Sequence, residues 1–462
     1  MVRVRPEASS PTETIVAIAT PPGRGGIGVV RIAGPDAVAI AAPMLRLQYA
    51  LAPRVARFGE VLDVESGQRL DEAVVTWFEA PHSYTGDHVV EIAAHGAPVI
   101  LEYLLRQAIA RGARMARPGE FTERAFLAGR LDLTQAEAVR DLIEAQTLYQ
   151  ARVAAEQLHG ALSRRVQPIK SALVDLIALL EAGIDFAEDD IDVLPDAQIL
   201  LRLARVEEPL GALADSFAFG RIVHHGFTLA IVGPPNAGKS SLFNRLIDRD
   251  RAIVTATPGT TRDLVSERVA IGGLPIELID TAGLRESVDE AESIGIRKSR
   301  EALAEADLVL IVLDASETLT DEDLALVGQV ASERAIVVMN KIDLIANEEQ
   351  PTEVSPARRV ARTSALNGDG VVELRTQIAA LVREGSGAQN ESGMVTNVRQ
   401  HQEVLASRAA LERVHTGIGE HVPHEMLLLD LYAGLRPLDA LTGDTTADDI
   451  LNLIFSSFCI GK

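Results

Sequence analysis

The stretch Phe227-Thr-Leu-Ala-Ile-Val-Gly-Pro-Pro-Asn-Ala-Gly-Lys-Ser-Ser-Leu-Phe-Asn-Arg-Leu246 decides the fold of the central part of this chain. Its first six residues have the pattern of a buried strand, and a glycine-containing loop and a helical pattern follow. In such a loop the backbone N–H groups turn toward phosphate oxygens, while Lys239 meets the β- and γ-phosphate charge and Ser240 ligates magnesium. The stretch therefore predicts a phosphate-binding loop in an α/β sheet.

Two further segments have the character of loops that respond to a γ-phosphate. The Thr-rich loop Thr255–Asp263 offers hydroxyl and carbonyl oxygens, and Thr261 is its natural magnesium ligand. The predicted strand Ile276–Ile279 ends at Asp280-Thr-Ala-Gly283, where Asp280 can hold magnesium through water and the Gly283 amide can sense the phosphate. Together these loops predict a nucleotide-dependent switch.

The base is predicted from the segment Asn340-Lys-Ile-Asp343, which follows the predicted strand Ala335–Met339. A carboxylate at Asp343 accepts hydrogen bonds from N1–H and the exocyclic amine of guanine, whereas adenine presents an acceptor at that place. The run Arg362-Thr-Ser-Ala-Leu366 ends another strand and would supply a backbone contact to the guanine carbonyl. The nucleotide is therefore predicted to be GTP.

The residue that orients the attacking water is left open by the residues alone. Many small GTPases carry Gln directly after the Asp-x-x-Gly motif, but this chain has Leu284, which cannot orient water. Asn236 suggests a source of charge stabilisation, since its side-chain oxygen, with oxygens of the Thr-rich loop, could hold a monovalent cation against the phosphates. Four nearby acidic residues are candidates for orienting water: Glu286, Asp289, Glu290 and Glu292.

The remaining sequence predicts a multidomain protein of α/β and α+β class. An N-terminal α+β domain with an antiparallel sheet precedes a discontinuous all-α helical domain, into which a Ras-like P-loop GTPase domain is inserted. The predicted boundaries are 1–131 for the α+β domain, 132–225 and 386–462 for the two helical parts, and 226–385 for the insert. The N-terminal runs are β-type at Ile15–Ala19, Gly28–Ile32, Ala73–Phe78 and His88–Ala93, and helical at Pro98–Arg111.

Composition excludes several other classes of protein. The 462 residues are 47% hydrophobic and 24% charged, which is a globular composition long enough for several cores. A net charge of -22 disfavours an RNA-binding module that acts alone, so a nucleic acid would be reached locally or through a basic partner. One cysteine, Cys459, permits no internal disulfide, and no apolar run approaches the roughly 18 to 20 residues of a membrane span. These features predict a cytoplasmic protein without a membrane anchor.

The motifs along the whole chain resemble those of one family, the MnmE (TrmE) tRNA-modification GTPases. Outside the nucleotide motifs, the segments that carry the resemblance are Thr20–Gly26, Val89–Gly96, Arg117–Phe126, Leu131–Glu137 and the terminal Phe455–Lys462. The resemblance implies a homodimer formed through the N-terminal domains, which bind 5-formyl- or methylene-tetrahydrofolate near their interface. It also implies potassium-stimulated GTP hydrolysis when the GTPase domains dimerise transiently.

The resemblance further implies a modification reaction. With an FAD-dependent partner of the MnmG (GidA) type, such proteins add an aminomethyl or carboxymethylaminomethyl group to carbon 5 of the wobble uridine of certain tRNAs, with folate as the one-carbon donor. A pure GTP-dependent switch for a ribosome-assembly or signalling partner is the alternative, but it would need neither the folate-type motifs nor Cys459.

The site residues predicted from the motifs and those implied by the resemblance are as follows. Glu292 matches the water-orienting glutamate, Asp280 belongs to the hydrolytic site, and Cys459 matches the terminal cysteine needed for modification. The implied potassium ligands are Asn236, Thr255, Thr257 and Thr260, the magnesium ligands are Ser240 and Thr261, and the folate contacts are Arg31, Glu91, Arg130 and Lys462. The whole nucleotide-binding set is Asn236, Ala237, Gly238, Lys239, Ser240, Ser241, Thr255, Ala256, Thr257, Pro258, Gly259, Thr260, Thr261, Asp280, Thr281, Ala282, Gly283, Asn340, Lys341, Ile342, Asp343, Ser364, Ala365 and Leu366.

Two positions depart from the family pattern. Ala256 stands where the family often has Asp, and Arg130 stands where Lys is common. Neither departure removes a predicted side-chain ligand.

Overall fold

The computed structural model describes residues 13–185, 194–247, 266–280, 306–331, 334–345, 359–385 and 392–444, together with Ile454, Phe455, Phe458 and Gly461. The chain divides into two compact units. The first comprises Met1–Arg140, Leu158–Ser163 and Asp439–Lys462, and the second comprises Asp141–Gln157 and Arg164–Leu438.

The first unit is built around a seven-stranded sheet with the order β3-β4-β5-β6-β2-β1-β7. Its pairs are antiparallel except for the short parallel pair of β1 with β7. The strands are β1 Ile15–Ile18, β2 Gly25–Ala33, β3 Leu45–Leu47, β4 Ala56–Leu62, β5 Arg69–Phe78, β6 Val89–Gly96 and β7 Arg114–Met115. The predicted antiparallel sheet is therefore confirmed.

Strand β4 escaped prediction because its own residues do not have a strand pattern. Arg57, Gly59 and Glu60 interrupt its apolar positions. Pairing with β3 on one side and β5 on the other supplies the backbone hydrogen bonds that make it a strand. Only tertiary pairing, which a local pattern does not reveal, specifies this element.

Thirteen α-helices lie in the described part of the chain. The first unit has α1 Ala37–Ala41, α2 Pro98–Ala110 and α3 Glu120–Leu127, and α4 Leu133–Glu144 follows. The other helices are α5 Leu148–Leu158, α6 Ala161–Asp185, α7 Asp196–Asp215, α8 Phe217–His225, α9 Lys239–Ile247, α10 Asp321–Gln329, α11 Val371–Gly385, α12 Val398–Gly419 and α13 His424–Thr442. The described residues of the two predicted helical parts are largely helical. No helix in the described residues is both long and apolar enough to span a bilayer.

The second unit contains a six-stranded sheet with the order β13-β12-β11-β8-β10-β9. All neighbouring strands are parallel except β9, which forms an antiparallel hairpin with β10. The strands are β8 Phe227–Val232, β9 Ser266–Ile271, β10 Leu274–Asp280, β11 Leu308–Asp314, β12 Ala335–Asn340 and β13 Arg359–Thr363.

Both faces of this sheet are covered. Alternate residues of β12 belong to two different hydrophobic clusters, with Ile336 and Val338 in one and Val337 and Met339 in the other. A strand buried on both faces reads as a continuous apolar run rather than an alternating one. This explains why β8 and β12 could be recognised in the sequence.

Candidate functional site

The phosphate-binding loop joins the end of β8 to the start of α9, as predicted. Gly238 has a φ of +91°, and a Cβ atom there would lie 2.3 Å from Nδ2 of Asn340, so this position requires glycine. Asn236 has a φ of +65°, a conformation that Asn tolerates better than most residues. The Lys239 ammonium donates to the carbonyls of Gly233 at 3.0 Å and Pro234 at 2.6 Å. The loop is thus curled around its own lysine, which lies where phosphate charge is expected.

Ser240 and Asn236 are both exposed at this loop. The Ser240 hydroxyl lies in the first turn of α9, where helix N–H groups and the helix dipole favour anions. An exposed hydroxyl at this place fits a ligand for a phosphate-bound magnesium ion. The exposed amide of Asn236 likewise fits the oxygen donor that a monovalent cation would need.

Asn340 connects the loop to the predicted base-binding segment. The side chain is 1% exposed, and its Nδ2 donates to the Ala237 carbonyl at 2.9 Å. Its Oδ1 accepts from the Thr363 hydroxyl at 3.1 Å and from the Ala365 backbone N–H at 3.0 Å. One buried amide therefore holds three predicted nucleotide-site segments together.

Asp343 and Ser364 face each other in this region. The buried Ser364 hydroxyl donates to Oδ1 of the exposed Asp343 carboxylate at 2.5 Å. This bond orients the carboxylate that is predicted to accept from guanine. Leu366 lies nearby in sequence and is 75% exposed, which leaves an apolar side chain available for contact with a base.

Lys341 has a partner that the sequence did not indicate. Its ammonium lies 2.6 Å from Oδ2 of Asp314, at the end of the neighbouring strand β11. Burial of the Asp314 carboxyl raises its pKa, but hydrogen bonds from Lys341 and Ser316 outweigh burial and lower it. The pairing of β11 with β12 in register could have suggested this contact, because it places Asp314 opposite Asn340.

Arg245 is a second residue that sequence reasoning missed. Its guanidinium on α9 donates from Nε to the Ala365 carbonyl at 3.0 Å and also binds the Leu366 carbonyl. It thereby braces the segment after β13 against the helix that follows the phosphate-binding loop.

Asp280 lies at the carboxyl end of β10, where its backbone is in register with Ile231 of β8. This places the start of the Asp-x-x-Gly motif beside the start of the phosphate-binding loop. The other predicted residues Thr255, Ala256, Thr257, Pro258, Gly259, Thr260, Thr261, Thr281, Ala282, Gly283, Glu292, Cys459 and Lys462 lie outside the described residues.

The N-terminal candidates are divided between two places. Arg31 and Glu91 are opposite each other on β2 and β6, and Nε of Arg31 donates to Oε1 of Glu91 at 2.8 Å. The Arg31 guanidinium also donates to the Gly461 carbonyl at 3.2 Å and lies over the rings of Tyr84 and Phe121. The Glu91 carboxylate on β6 is thus neutralised by an arginine.

Arg130 takes a different partner from Arg31. Its guanidinium donates to the Pro81 carbonyl at 2.9 Å and is exposed. An exposed guanidinium fits the predicted partner for an acidic folate tail, although it is held by another segment than the Arg31–Glu91 pair.

Described residues of the C-terminal segment of the first unit pack against α4, Phe126 and Arg31. Phe455 and Phe458 belong to a cluster with Leu133 and Ala136 of α4, and Phe126 packs against it. Together with the contact of Arg31 to Gly461, this cluster places the described residues Phe455, Phe458 and Gly461 against the N-terminal fold.

Comparison with known proteins identifies the family. A family described as "GTP-binding protein TrmE N-terminus" matches residues 14–130, and one described as "MnmE helical domain" matches residues 133–459. The chain is 62% identical to the tRNA modification GTPase MnmE of Koribacter versatilis (strain Ellin345), over 97% of this chain and 99% of that protein. It is 42% identical to the tRNA modification GTPase MnmE of Aquifex aeolicus (strain VF5), over 97% of this chain and 100% of that protein.

A partial likeness exists among solved structures. The G domain of the T. maritima FeoB iron transporter is 28% identical, with a TM-score of 0.26, and the match covers 34% of this chain and 98% of that chain. This likeness adds nothing to the assignment, which rests on the matches along nearly the full length. The chain belongs to the MnmE (TrmE) family of tRNA-modification GTPases.

Proposed function

We propose that this chain hydrolyses GTP and acts in the modification of the wobble uridine of tRNA. The observation that carries the GTPase part is the buried Asn340 amide, which joins the phosphate-binding loop to the segment that orients Asp343. Such an arrangement holds the phosphate and base contacts in one rigid frame. The modification part is supported by the family and by the full-length relatives named above.

In the proposed mechanism the loop residues bind and neutralise the triphosphate. Lys239 exchanges its contacts with the loop carbonyls for phosphate oxygens, and the loop N–H groups donate to the same charge. Ser240 and Thr261 would hold magnesium, and Asn236, Thr255, Thr257 and Thr260 would hold potassium. These cations supply charge stabilisation to the phosphates when bound.

Glu292 is the proposed residue that orients the attacking water. The sequence alternatives are Glu286, Asp289 and Glu290. Replacing each of the four residues in turn by Gln distinguishes them, since only the loss of the orienting carboxylate should lower kcat while the affinity for GTP is kept. Turnover should also be higher in potassium salts than in sodium salts at equal ionic strength. Equal rates in the two salts would remove the proposed potassium site.

Guanine recognition has its own test at Asp343. Asp343→Asn replaces an acceptor by an amide that also donates, which suits the carbonyl that xanthine carries in place of the guanine amine. We expect the affinity for GTP to fall by at least about 100-fold, with a gain for xanthosine triphosphate, in equilibrium binding. Asp321→Asn on the exposed first turn of α10 is the control and should change neither affinity.

The wider assignment includes a homodimer and a folate site. Arg31, Glu91, Arg130 and Lys462 would contact 5-formyl- or methylene-tetrahydrofolate, and the exposed Arg130 guanidinium and the Arg31–Glu91 pair support this. An MnmG-type FAD-dependent partner would act with the chain on tRNA in the cytoplasm. The division at 131, 225 and 385 into N-terminal, helical and GTPase domains belongs to the same proposal.

Mass spectrometry of wobble-uridine nucleosides tests the modification. Cells that lack this chain would be complemented with the wild type, Asp280→Ala or Cys459→Ser. If the modified uridine disappears and only the wild type restores it, GTP hydrolysis and the terminal thiol serve one modification pathway. If its level never changes, the tRNA assignment is wrong and a GTP-dependent switch takes its place.

A further inference from the structure

Helix α5 lies where the chain enters and leaves the six-stranded sheet. Nε2 of Gln150 donates to the carbonyls of Val223 at 2.9 Å and His224 at 3.2 Å, at the end of α8 just before β8 begins. Nε2 of Gln157 donates to the Met394 carbonyl at 2.6 Å, in the segment that returns from α11 to α12. Residues seven apart lie on one face of a helix. A single face of α5 therefore binds both connecting segments, the one that enters the sheet at residues 223–224 and the one that leaves it at Met394.

The same helix contacts the β9–β10 hairpin. A Cβ atom on Gly273, in the hairpin turn, would lie 3.0 Å from Cβ of Tyr149, so the turn is in close contact with α5. The Tyr149 ring also packs edge-on against Phe219 of α8, with 6.5 Å between ring centroids. Val153, one turn further along, is buried in the same cluster as Ile271 and Leu274 on either side of the turn.

This hairpin joins the two loops that are predicted to respond to the γ-phosphate. Strand β9 begins at Ser266, shortly after the Thr-rich loop in the sequence, and β10 ends at Asp280. The two strands pair in continuous register from Ser266–Ile279 to Ile271–Leu274. A close-packed, fully paired hairpin moves as a body rather than by continuous deformation. A shift at the loop ends therefore reaches the turn that rests on Tyr149.

We propose that α5 is the element through which the nucleotide state of the α/β sheet is coupled to the helical part of the chain. Tyr149 contacts the hairpin turn and so moves with it. Gln150 and Gln157 then carry the movement of α5 to the two connecting segments that they bind, at residues 223–224 and at Met394. These three are positioning residues, not catalytic ones. The inference rests on the proposed GTPase function, because it requires two nucleotide states.

Coupling of this kind has a reciprocal consequence. If GTP and GDP favour different positions of the hairpin, a change on α5 alters their affinities by different factors. A residue that only stabilises the fold alters both affinities equally. The ratio of the two dissociation constants therefore separates coupling from scaffolding.

The experiment uses the full chain and measures Kd for GDP and for a non-hydrolysable GTP analogue. Gln157→Leu removes the bond to Met394, and Tyr149→Ala removes the ring from the hairpin turn. Each should shift the ratio of the two Kd values by at least about fivefold. Gln167→Leu, the same change at an exposed site of α6, and Tyr149→Phe, which keeps the ring, should leave the ratio within about twofold. An unchanged ratio in both test variants, even with lowered thermal stability, overturns the proposal.

A second measurement does not depend on the folding of any variant. Hydrogen exchange of the wild type is compared in GDP and in the GTP analogue, with α10 as the internal reference. We expect protection of α5 and of the Ile271–Leu274 turn to differ between the two states. Equal protection in both elements overturns the coupling while the GTPase function stands, whereas failure to bind either guanine nucleotide overturns both.

Discussion

Asn340 is the side chain on which the described part of the nucleotide site depends most. Its amide is buried and satisfied by the carbonyl of Ala237, the hydroxyl of Thr363 and the N–H of Ala365. A buried polar group that loses its partner costs roughly 1 to 3 kcal/mol. Removal of the Asn340 side chain takes a hydrogen-bond partner from all three of these groups.

Asn340→Ala should therefore lower the free energy of unfolding by about 2 to 4 kcal/mol and weaken GTP binding at least tenfold. Urea unfolding and equilibrium binding measure the two effects. Asn367→Ala is a matched control at an exposed position three residues after Ser364 and should stay within about 0.5 kcal/mol of the wild type. Equal losses in both variants would mean that the Asn340 amide has no special role.

Gly461 places the terminal segment against Arg31. It has a φ of +101°, and a Cβ atom would lie 2.6 Å from the Ile18 carbonyl oxygen. Gly461→Ala should therefore displace the carbonyl that Arg31 binds and abolish the tRNA modification, while the affinity for GTP remains unchanged. Nucleoside mass spectrometry and GTP binding measure the two properties.

Gly67→Ala is the control that separates backbone strain at positive φ from the steric clash of the new Cβ atom. Gly67 has a φ of +69°, but a Cβ atom there would meet nothing within 4 Å. It shares the backbone cost of a side chain at positive φ and lacks the clash. Retained modification in Gly461→Ala would show that the position of the terminal segment is not restricted by this glycine.

Helix α3 carries an ion network that stabilises the first unit. Glu120 is 2% exposed and accepts hydrogen bonds from Arg114, Arg124 and the Arg117 backbone N–H. Burial raises the pKa of Glu120, but these bonds outweigh it and lower the pKa from 4.5 to about 2. Because the folded pKa is depressed, the stabilisation is present above the unfolded value and is lost as the pH falls toward 2.

Glu120→Gln should cost about 3 kcal/mol of unfolding free energy at pH 7, since it removes the closer of the two carboxylates that pair with the buried Arg124 and leaves only Asp87 at 3.5 Å. The loss should shrink as the pH is lowered from about 5 to 2, because the Glu120 carboxyl of the unfolded wild type binds a proton below its ordinary pKa of 4.5, whereas the folded one does so only near 2. Denaturant unfolding across this range measures both effects. Glu72→Gln, in the exposed pair with Arg69, should cost less than about 1 kcal/mol at every pH.

Helices and strands with a clear hydrophobic or capping pattern in their own sequence could be predicted. Strands that form only because another strand pairs with them could not. Strands β8 and β12 are apolar runs, and the helix Pro98–Ala110 begins with proline at its first turn, so local sequence suffices. Strand β4 and the two-residue β7 exist only through pairing. At the site, motif residues such as Asn340 were predicted, whereas Arg245 and Asp314 were not, because their roles depend on which helix or strand lies beside them.

The charge of the whole molecule bears on how it meets tRNA. With 44 basic against 66 acidic residues, the chain has a net charge of -22 and repels a phosphate backbone at long range. A basic RNA-binding protein releases many counterions and loses roughly 1,000-fold or more in affinity between 50 and 200 mM salt.

This chain alone should bind tRNA weakly, with an affinity that changes less than about tenfold over the same salt range. Fluorescence anisotropy of labelled tRNA, read at several salt concentrations, measures this dependence. Unmodified tRNA with its anticodon stem-loop removed is the matched control and should bind no more tightly than the intact molecule. A steep loss of affinity with salt would contradict the prediction, because it would require a local basic surface that outweighs the net charge, and tRNA would then be recruited by this chain rather than by a basic partner.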